Sequence, residues 1–258
     1  MRIGGFCAVL AALAASPCWA QDSGKVPLVT DRPDFTESAL SVLPGVVQLE
    51  AGYTLTRIDG LNSHSLGEVL LRIGVLPRTE VRVGLNSFAW SDDPPDASGL
   101  EDVSLGVKVE LAAGGSQGFQ LLRPSIALLV STTLPTGAEE FGENDLQPAA
   151  ILAMSWELSE RFGLGANAGV GAPTAGGDRF GQFSGSLALG ASVTEHLGAY
   201  GEYYVLAPPG PDADAAGFLN GGLTWLVSED FQLDLRAGLG IHGADADAFF
   251  GAGLATRF

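Results

Sequence analysis

The stretch Leu100–Gly137, LEDVSLGVKVELAAGGSQGFQLLRPSIALLVSTTLPTG, decides the fold. From Val103 the odd positions are apolar (Val103, Leu105, Val107, Val109, Leu111), while Ser104, Gly106, Lys108 and Glu110 lie between them. The returning run sets Ile126, Leu128, Val130 and Thr132 against Arg123, Ser125, Ala127, Leu129 and Ser131. Successive side chains on a strand point to opposite faces, so each run has one oily face and one that accepts charge. In a soluble sheet the oily face would line a core and the charges would meet water. The runs are also about 10 residues long, the length of a tilted strand crossing a bilayer. The oily face would then be the outside of a barrel and the polar face its lumen.

The pattern recurs to the last residue. Outward of the hairpin, strands are expected at Val46–Thr56, Glu68–Leu76, Glu80–Trp90, Leu146–Leu158, Phe162–Gly171, Gln182–Thr194, Gly198–Leu206, Phe218–Val227, Phe231–Ile241 and Ala248–Phe258. With the hairpin's two, that is twelve, an even number as single-chain bacterial barrels have. Connections alternate in length. Pro77–Thr79, Ala112–Gly118, Ser159–Arg161, Glu195–Leu197 and Ser228–Asp230 are mostly short; Asp59–Ser65, Ser91–Gly99, Pro135–Asp145, Pro173–Gly181, Pro208–Ala215 and His242–Asp247 are longer. Short turns at one rim and long loops at the other, with almost no charge on the oily faces, favour an all-β, closed antiparallel transmembrane barrel over a soluble sandwich. A charge facing lipid at mid-depth costs roughly 2–4 kcal/mol, which accounts for the exclusion. Trp90, Trp156 and Trp225 are expected near strand ends as interface anchors.

Composition agrees. Gly (36) and Pro (14) favour strands and turns over helices, and charged residues are 17%, below a soluble average near 25%. The formal charge of -17 excludes nucleic acid, whose phosphates would repel the chain. Arg2, the apolar run Phe6–Ala15 and the Cys18-Trp19-Ala20 site read as a signal peptide over residues 1–20. Both cysteines fall within it, so the mature chain carries no disulfide and no thiol chemistry. After the leader no run reaches about 18 apolar residues, which leaves a barrel as the membrane option.

Residues 21–44 are not strand-like and form an arm before the barrel, placed with the chain ends at the periplasmic rim. Its charges Asp31, Arg32, Asp34 and Glu37 belong either to a solvated tail or to a plug in the mouth or lumen. By alternation the lumen receives Glu50, Glu68, Arg72, Glu80, Arg82, Asp102, Lys108, Glu110, Arg123, Glu202, Asp234 and Arg236. These read either as an ion-pair lattice filling a narrow interior or as a polar path that selects a solute. Twelve strands lie between side-chain-filled 8-stranded barrels and open 16-stranded porins, so a small solute is expected.

TDRPDFTES (Thr30–Ser38) followed by GVVQLEAGYT (Gly45–Thr54) resembles the opening of a family of bacterial outer-membrane barrels associated with the meta-pathway of phenol degradation and labelled transporters. LEDVSLGVKVEL, PSIALLVSTTLPTG, LNGGLTWLVSEDFQLDLRAG and the terminal GLATRF look like its later segments. The resemblance implies an outer-membrane barrel carrying a small solute, an aromatic compound by the family's association. It brings no catalytic or binding residues. The final Phe258 is similar to the aromatic end read by the outer-membrane assembly machinery. Outer-membrane lipid and lipopolysaccharide are the other expected partners, and the barrel is expected as a monomer.

Enzyme chemistry finds little support. His64, flanked by Ser63 and Ser65, is expected in a long loop, where chain neighbours are not a positioned nucleophile and base. His196 and His242 are expected in a turn and a loop, and no His or Cys cluster has zinc spacing. No cofactor, metal or catalytic residue is expected. The acidic outer loops match no calcium loop. The alternative to a channel is a structural or adhesive barrel that transports nothing.

Overall fold

The computed structural model describes residues 27–92, 97–115, 123–143, 145–211 and 213–258; the leader over 1–20 lies outside the described residues. Among these residues the secondary structure is entirely strand and turn: β1(Val47–Ile58), β2(Leu61–Leu76), β3(Thr79–Gly84), β4(Phe88–Ser91), β5(Ala97–Leu100), β6(Val103–Ala112), β7(Ser125–Leu134), β8(Gln147–Glu157), β9(Phe162–Gly171), β10(Thr174–Ala175), β11(Asp178–Arg179), β12(Gln182–Ser192), β13(Leu197–Ala207), β14(Ala216–Ser228), β15(Phe231–His242) and β16(Ala246–Arg257). Twelve of them close a ring in the order β1, β2, β3, β6, β7, β8, β9, β12, β13, β14, β15, β16, sealed by antiparallel pairing of β1 with β16. The hairpin expected within Leu100–Gly137 is β6–β7, with Val107 opposite Val130 and Lys108 opposite Leu129.

Alternation sorts the faces as the sequence demands. Leu105, Val107, Leu111, Val130, Leu187, Leu223, Leu235 and Phe250 are exposed on the outside, whereas Lys108, Arg72 and Glu80 are fully buried inside. This inversion makes sense only if the outer solvent is hydrocarbon.

Most strand ends shift by one or two residues, and a short hairpin, β10–β11, stands in the loop expected at Pro173–Gly181; two other differences are larger. The loop expected at Asp59–Ser65 is a two-residue turn, Asp59-Gly60, with φ of 52° and 84°; such a turn suits the twist of a hairpin and lets both strands run into it. The strand expected at Glu80–Trp90 is present as β3 and β4, which hold one register along β2 (Leu70 opposite Gly84, Leu66 opposite Phe88). The break between them faces Gly67 and Glu68 of β2, whose φ of 112° and 42° mark a bulge. β5 likewise continues the line of β6, since Phe88 lies opposite Leu100 as Gly84 lies opposite Ser104. The wall from β1 to β6 is therefore taller than its sequence pattern suggests.

Candidate functional site

The lumen holds residues 27–44. The chain enters at the rim where Arg257 Nη1 donates to the Pro27 carbonyl (3.1 Å). It reaches farthest at residues 33–36, where Arg236, level with Gly251, donates to the Pro33 carbonyl (3.2 Å). It then returns to the same rim, where Gly45 N–H donates to Gly74 O (2.8 Å) and β1 begins. The segment has no strand partner, so barrel side chains satisfy its backbone. Asp31 and Arg32 N–H donate to the Glu50 carboxylate (3.0 and 2.9 Å), Phe35 N–H to Glu202 (2.8 Å), Glu37 N–H to Asn167 (2.6 Å), Ser41 N–H to Glu110 (2.7 Å) and Val42 N–H to Glu80 (2.8 Å). Arg72 Nη1 and Nη2 reach the Val29 and Leu40 carbonyls (3.0 Å each).

Asp31 sits at the centre. Its carboxylate meets Arg72 Nε (3.2 Å), Lys108 Nζ (3.0 Å) and Arg82, and accepts the Ser38 N–H (3.2 Å). Glu37 lies beside Lys108 Nζ (3.2 Å) and Arg82 Nη2 (3.4 Å), and Glu50 and Glu80 pair with Arg72 (3.2 and 3.0 Å). A second knot surrounds Arg32, which bonds Glu68 (2.6 Å), Asp234 (3.4 Å) and the Ala252 carbonyl (3.3 Å). Its guanidinium fits because Gly52 and Gly253 face each other across the β1–β16 pair; a Cβ at either would overlap it.

Burial alone would raise the Asp31 carboxyl, but Arg72, Lys108 and Arg82 outweigh it and hold Asp31 well below the usual carboxylate range. Burial pushes Glu37 up to about 7 against the pull of Arg82 and Lys108. Burial would lower Arg32, yet Asp234 and Glu68 hold it above its ordinary value.

Of the residues expected in the lumen, Glu50, Glu68, Arg72, Glu80, Arg82, Lys108, Glu110, Glu202, Asp234 and Arg236 all bond or pair with the arm. Asp102 stands elsewhere: it lies in the break before β6, and its carboxylate accepts the N–H groups of Thr136 (2.9 Å), Gly137 (2.6 Å) and Glu143 (2.9 Å), clamping the following outer loop. Arg123 precedes β7 at the short-turn rim and is exposed. Among the arm residues Asp31, Arg32, Asp34 and Glu37 are all buried. Phe258 closes the β1–β16 seam through its N–H to Val47 O (2.9 Å), its ring exposed.

The charge-based reading missed two groups. Gln48, Asn167 and Gln232 hold the arm through neutral amides at Val29 O, Glu37 and Thr30; their inward positions were legible by alternation. Tyr204, Phe218 and Phe249 also face inward and form an aromatic cluster against Phe35 of the arm. His64 is in β2, not a loop; it pairs with the Tyr53 hydroxyl (Nδ1, 2.8 Å) and stacks on Trp90 (4.5 Å). Ser63 and Ser65, its strand neighbours, necessarily point to the other face, and Ser65 donates to Glu101 (2.8 Å).

A closed antiparallel ring of twelve strands, apolar outside and charged within, defines a bacterial outer-membrane β-barrel. The model of the family described as "Putative MetA-pathway of phenol degradation" matches residues 30–258, and the chain belongs to that family; the match takes in the arm from Thr30. An outer membrane channel from Pseudomonas putida F1 superposes with TM-score 0.68 at 14% identity, over 85% of this chain and 98% of that one. The NanC porin (TM-score 0.55, 10% identity, 82% and 100% covered) and the KdgM porin (0.55, 7%, 82% and 99%) share the architecture. At these identities the likeness is one of fold. No curated protein sequence matches.

Proposed function

We propose that the chain is an outer-membrane channel for a small solute and that residues 27–44 form its plug. The observation that carries this reading is the arm's lodging in the lumen: ten charged wall residues grip it, and its own backbone groups are met by side chains rather than by a strand. A structural barrel has no need of a segment seated by such directional bonds. The family's description supports an aromatic solute. The protein works without catalysis and as a monomer. Its leader 1–20 directs export, Phe258 is read by the assembly machinery, and the acidic outer loops face lipopolysaccharide.

The test is single-channel conductance of the refolded mature protein in a planar bilayer, beside a variant lacking residues 21–43 and beside Asp31→Asn in case the deletion does not fold. Discrete cation-biased steps that grow larger or more frequent in either variant are expected. Inserted protein whose variants conduct no more than the parent refutes the plug. Silence from parent and variants alike favours the structural or adhesive barrel.

A further inference from the structure

Within a lumen otherwise given to charge and amide groups, three rings stand in one stack. Phe35 of the arm lies on Tyr204 at 4.3 Å between centroids and 10° between planes, and Tyr204 lies on Phe218 at 4.7 Å and 13°. Tyr204 and Phe218 belong to the wall. They sit directly opposite each other on β13 and β14, where cross-strand neighbours are close enough for their rings to stack. Ala216 and Phe249 pack around them, and Arg236 lies 5.7 Å from the centroid of the Phe249 ring. The third ring is different. Phe35 stands at the farthest reach of the arm, ends the stack and is half-buried, whereas Tyr204 and Phe218 are buried. Beside it is Glu202, which accepts the Phe35 N–H (2.8 Å), the Thr36 hydroxyl (2.6 Å) and the Asn220 amide (2.9 Å); the Tyr200 hydroxyl donates to that same Asn220 (3.2 Å).

We propose that Phe35 is a built-in ligand: it occupies the ring-binding face of Tyr204, and a single-ring aromatic solute bearing a hydroxyl stacks there in its place, loosening the arm. This rests on the channel reading and assigns its solute site. The wall supplies a planar surface built of two stacked rings, so a solute ring has little to order when it takes the place of Phe35. Stacked rings gain about 0.5–1.5 kcal/mol beyond the area they bury, equivalent to a two- to tenfold preference for an aromatic ring over a saturated one of similar size. The carboxylate of Glu202, which already accepts the Phe35 N–H, the Thr36 hydroxyl and the Asn220 amide, has one acceptor site left for the solute hydroxyl. The Glu202 carboxylate beside Phe35 disfavours a carboxylate-bearing ring.

The experiment is calorimetric titration of phenol, cyclohexanol and benzoate into the refolded full mature protein and into Phe35→Ala and Tyr204→Leu, the latter also reporting unspecific partition into detergent. Saturable phenol binding is expected in the parent, about tenfold tighter in Phe35→Ala, where nothing has to be displaced, and absent in Tyr204→Leu. Cyclohexanol should bind two- to tenfold more weakly than phenol, and benzoate more weakly still. Phenol binding that is no tighter in Phe35→Ala, or that survives in Tyr204→Leu, overturns the proposal. Should the variants misfold, barrel heat-modifiability on unboiled gels reveals it, and Phe35→Leu, which keeps most of the volume and loses the ring plane, then takes the place of Phe35→Ala; phenol binding about two- to tenfold tighter than in the parent is expected, because the side chain to be displaced no longer stacks. Conductance of the same preparations separates the two readings: steps without phenol binding leave the channel standing and refute the site, and phenol binding without steps does the reverse.

Discussion

Asp31→Asn is the most exacting test of how the arm is held. The side chain keeps its shape and its acceptor for the Ser38 N–H, so packing is preserved, but the charge that three buried cations converge on is gone. Arg72 Nε at 3.2 Å, Lys108 Nζ at 3.0 Å and Arg82 would then face Glu37, Glu50 and Glu80 alone, with an amide –NH₂ or a neutral oxygen where a carboxylate stood. Removing one partner from a buried charge cluster costs about 3–5 kcal/mol, because the charges left behind stay desolvated. That shifts the ratio of seated to released arm by a factor of about 100 to 1,000 or more. The rim pair Arg257–Asp230, 2.6 Å long and partly exposed on both sides, serves as control; Asp230→Asn should cost less than about 1 kcal/mol. The assay is limited proteolysis of the arm in refolded protein, read with open probability in the bilayer. Faster cleavage and more frequent openings in Asp31→Asn, but not in Asp230→Asn, are expected. If Asp31→Asn protects its arm as well as the parent does, the convergence of cations on Asp31 does not hold the arm, and the account of the lattice fails.

Three further outcomes follow from the same geometry. Glu37, raised to about 7 by burial among Arg82, Lys108, Asp31 and Arg72, keeps a proton in the seated arm that it gives up in water above its ordinary 4.5; seating should therefore weaken as pH rises from about 4.5 through 7, visible as openings that increase between pH 5 and 8 and lose this dependence in Glu37→Gln. Gly74→Ala should misplace the arm's exit, since a Cβ there would overlap the Leu43 carbonyl oxygen and lie 2.8 Å from that of Val42; a loss of about 1–3 kcal/mol should appear as a lower urea midpoint and faster arm proteolysis. Val107→Arg, on the exposed outer face, should cost about 2–4 kcal/mol if that face meets lipid at mid-depth, measured as refolding yield in vesicles, and almost nothing if it meets water.

The pattern of residues in the chain was enough to define the barrel. A two-residue period repeated twelve times, with charge confined to one face, admits few other solutions, and β9 falls at the boundaries the alternation set, Phe162–Gly171. Alternation also placed Arg72, Lys108 and Asp234 on the inner wall, because it depends only on the local direction of Cβ. Local rules failed where the backbone left the ordinary strand region. The turn at Asp59-Gly60 and the bulge at Gly67-Glu68 depend on positive φ values that three different residue types adopt, and only the pairing across β2 reveals them. Nor could periodicity say where the arm goes, since residues 27–44 have none. Asp31 meets Lys108 only because the arm folds onto the inner face of the neighbouring strands β2, β3 and β6, and Phe35 meets Tyr204 across 169 positions of sequence because the same arm reaches across the lumen to β13. A barrel with an oily exterior and a charged interior is written in the order of residues, because each side chain's face follows from its neighbours. That the chain's own arm fills the charged interior follows from the folded barrel alone, because Arg32 finds Glu68, Asp234 and the Ala252 carbonyl together only when β2, β15 and β16 surround one lumen.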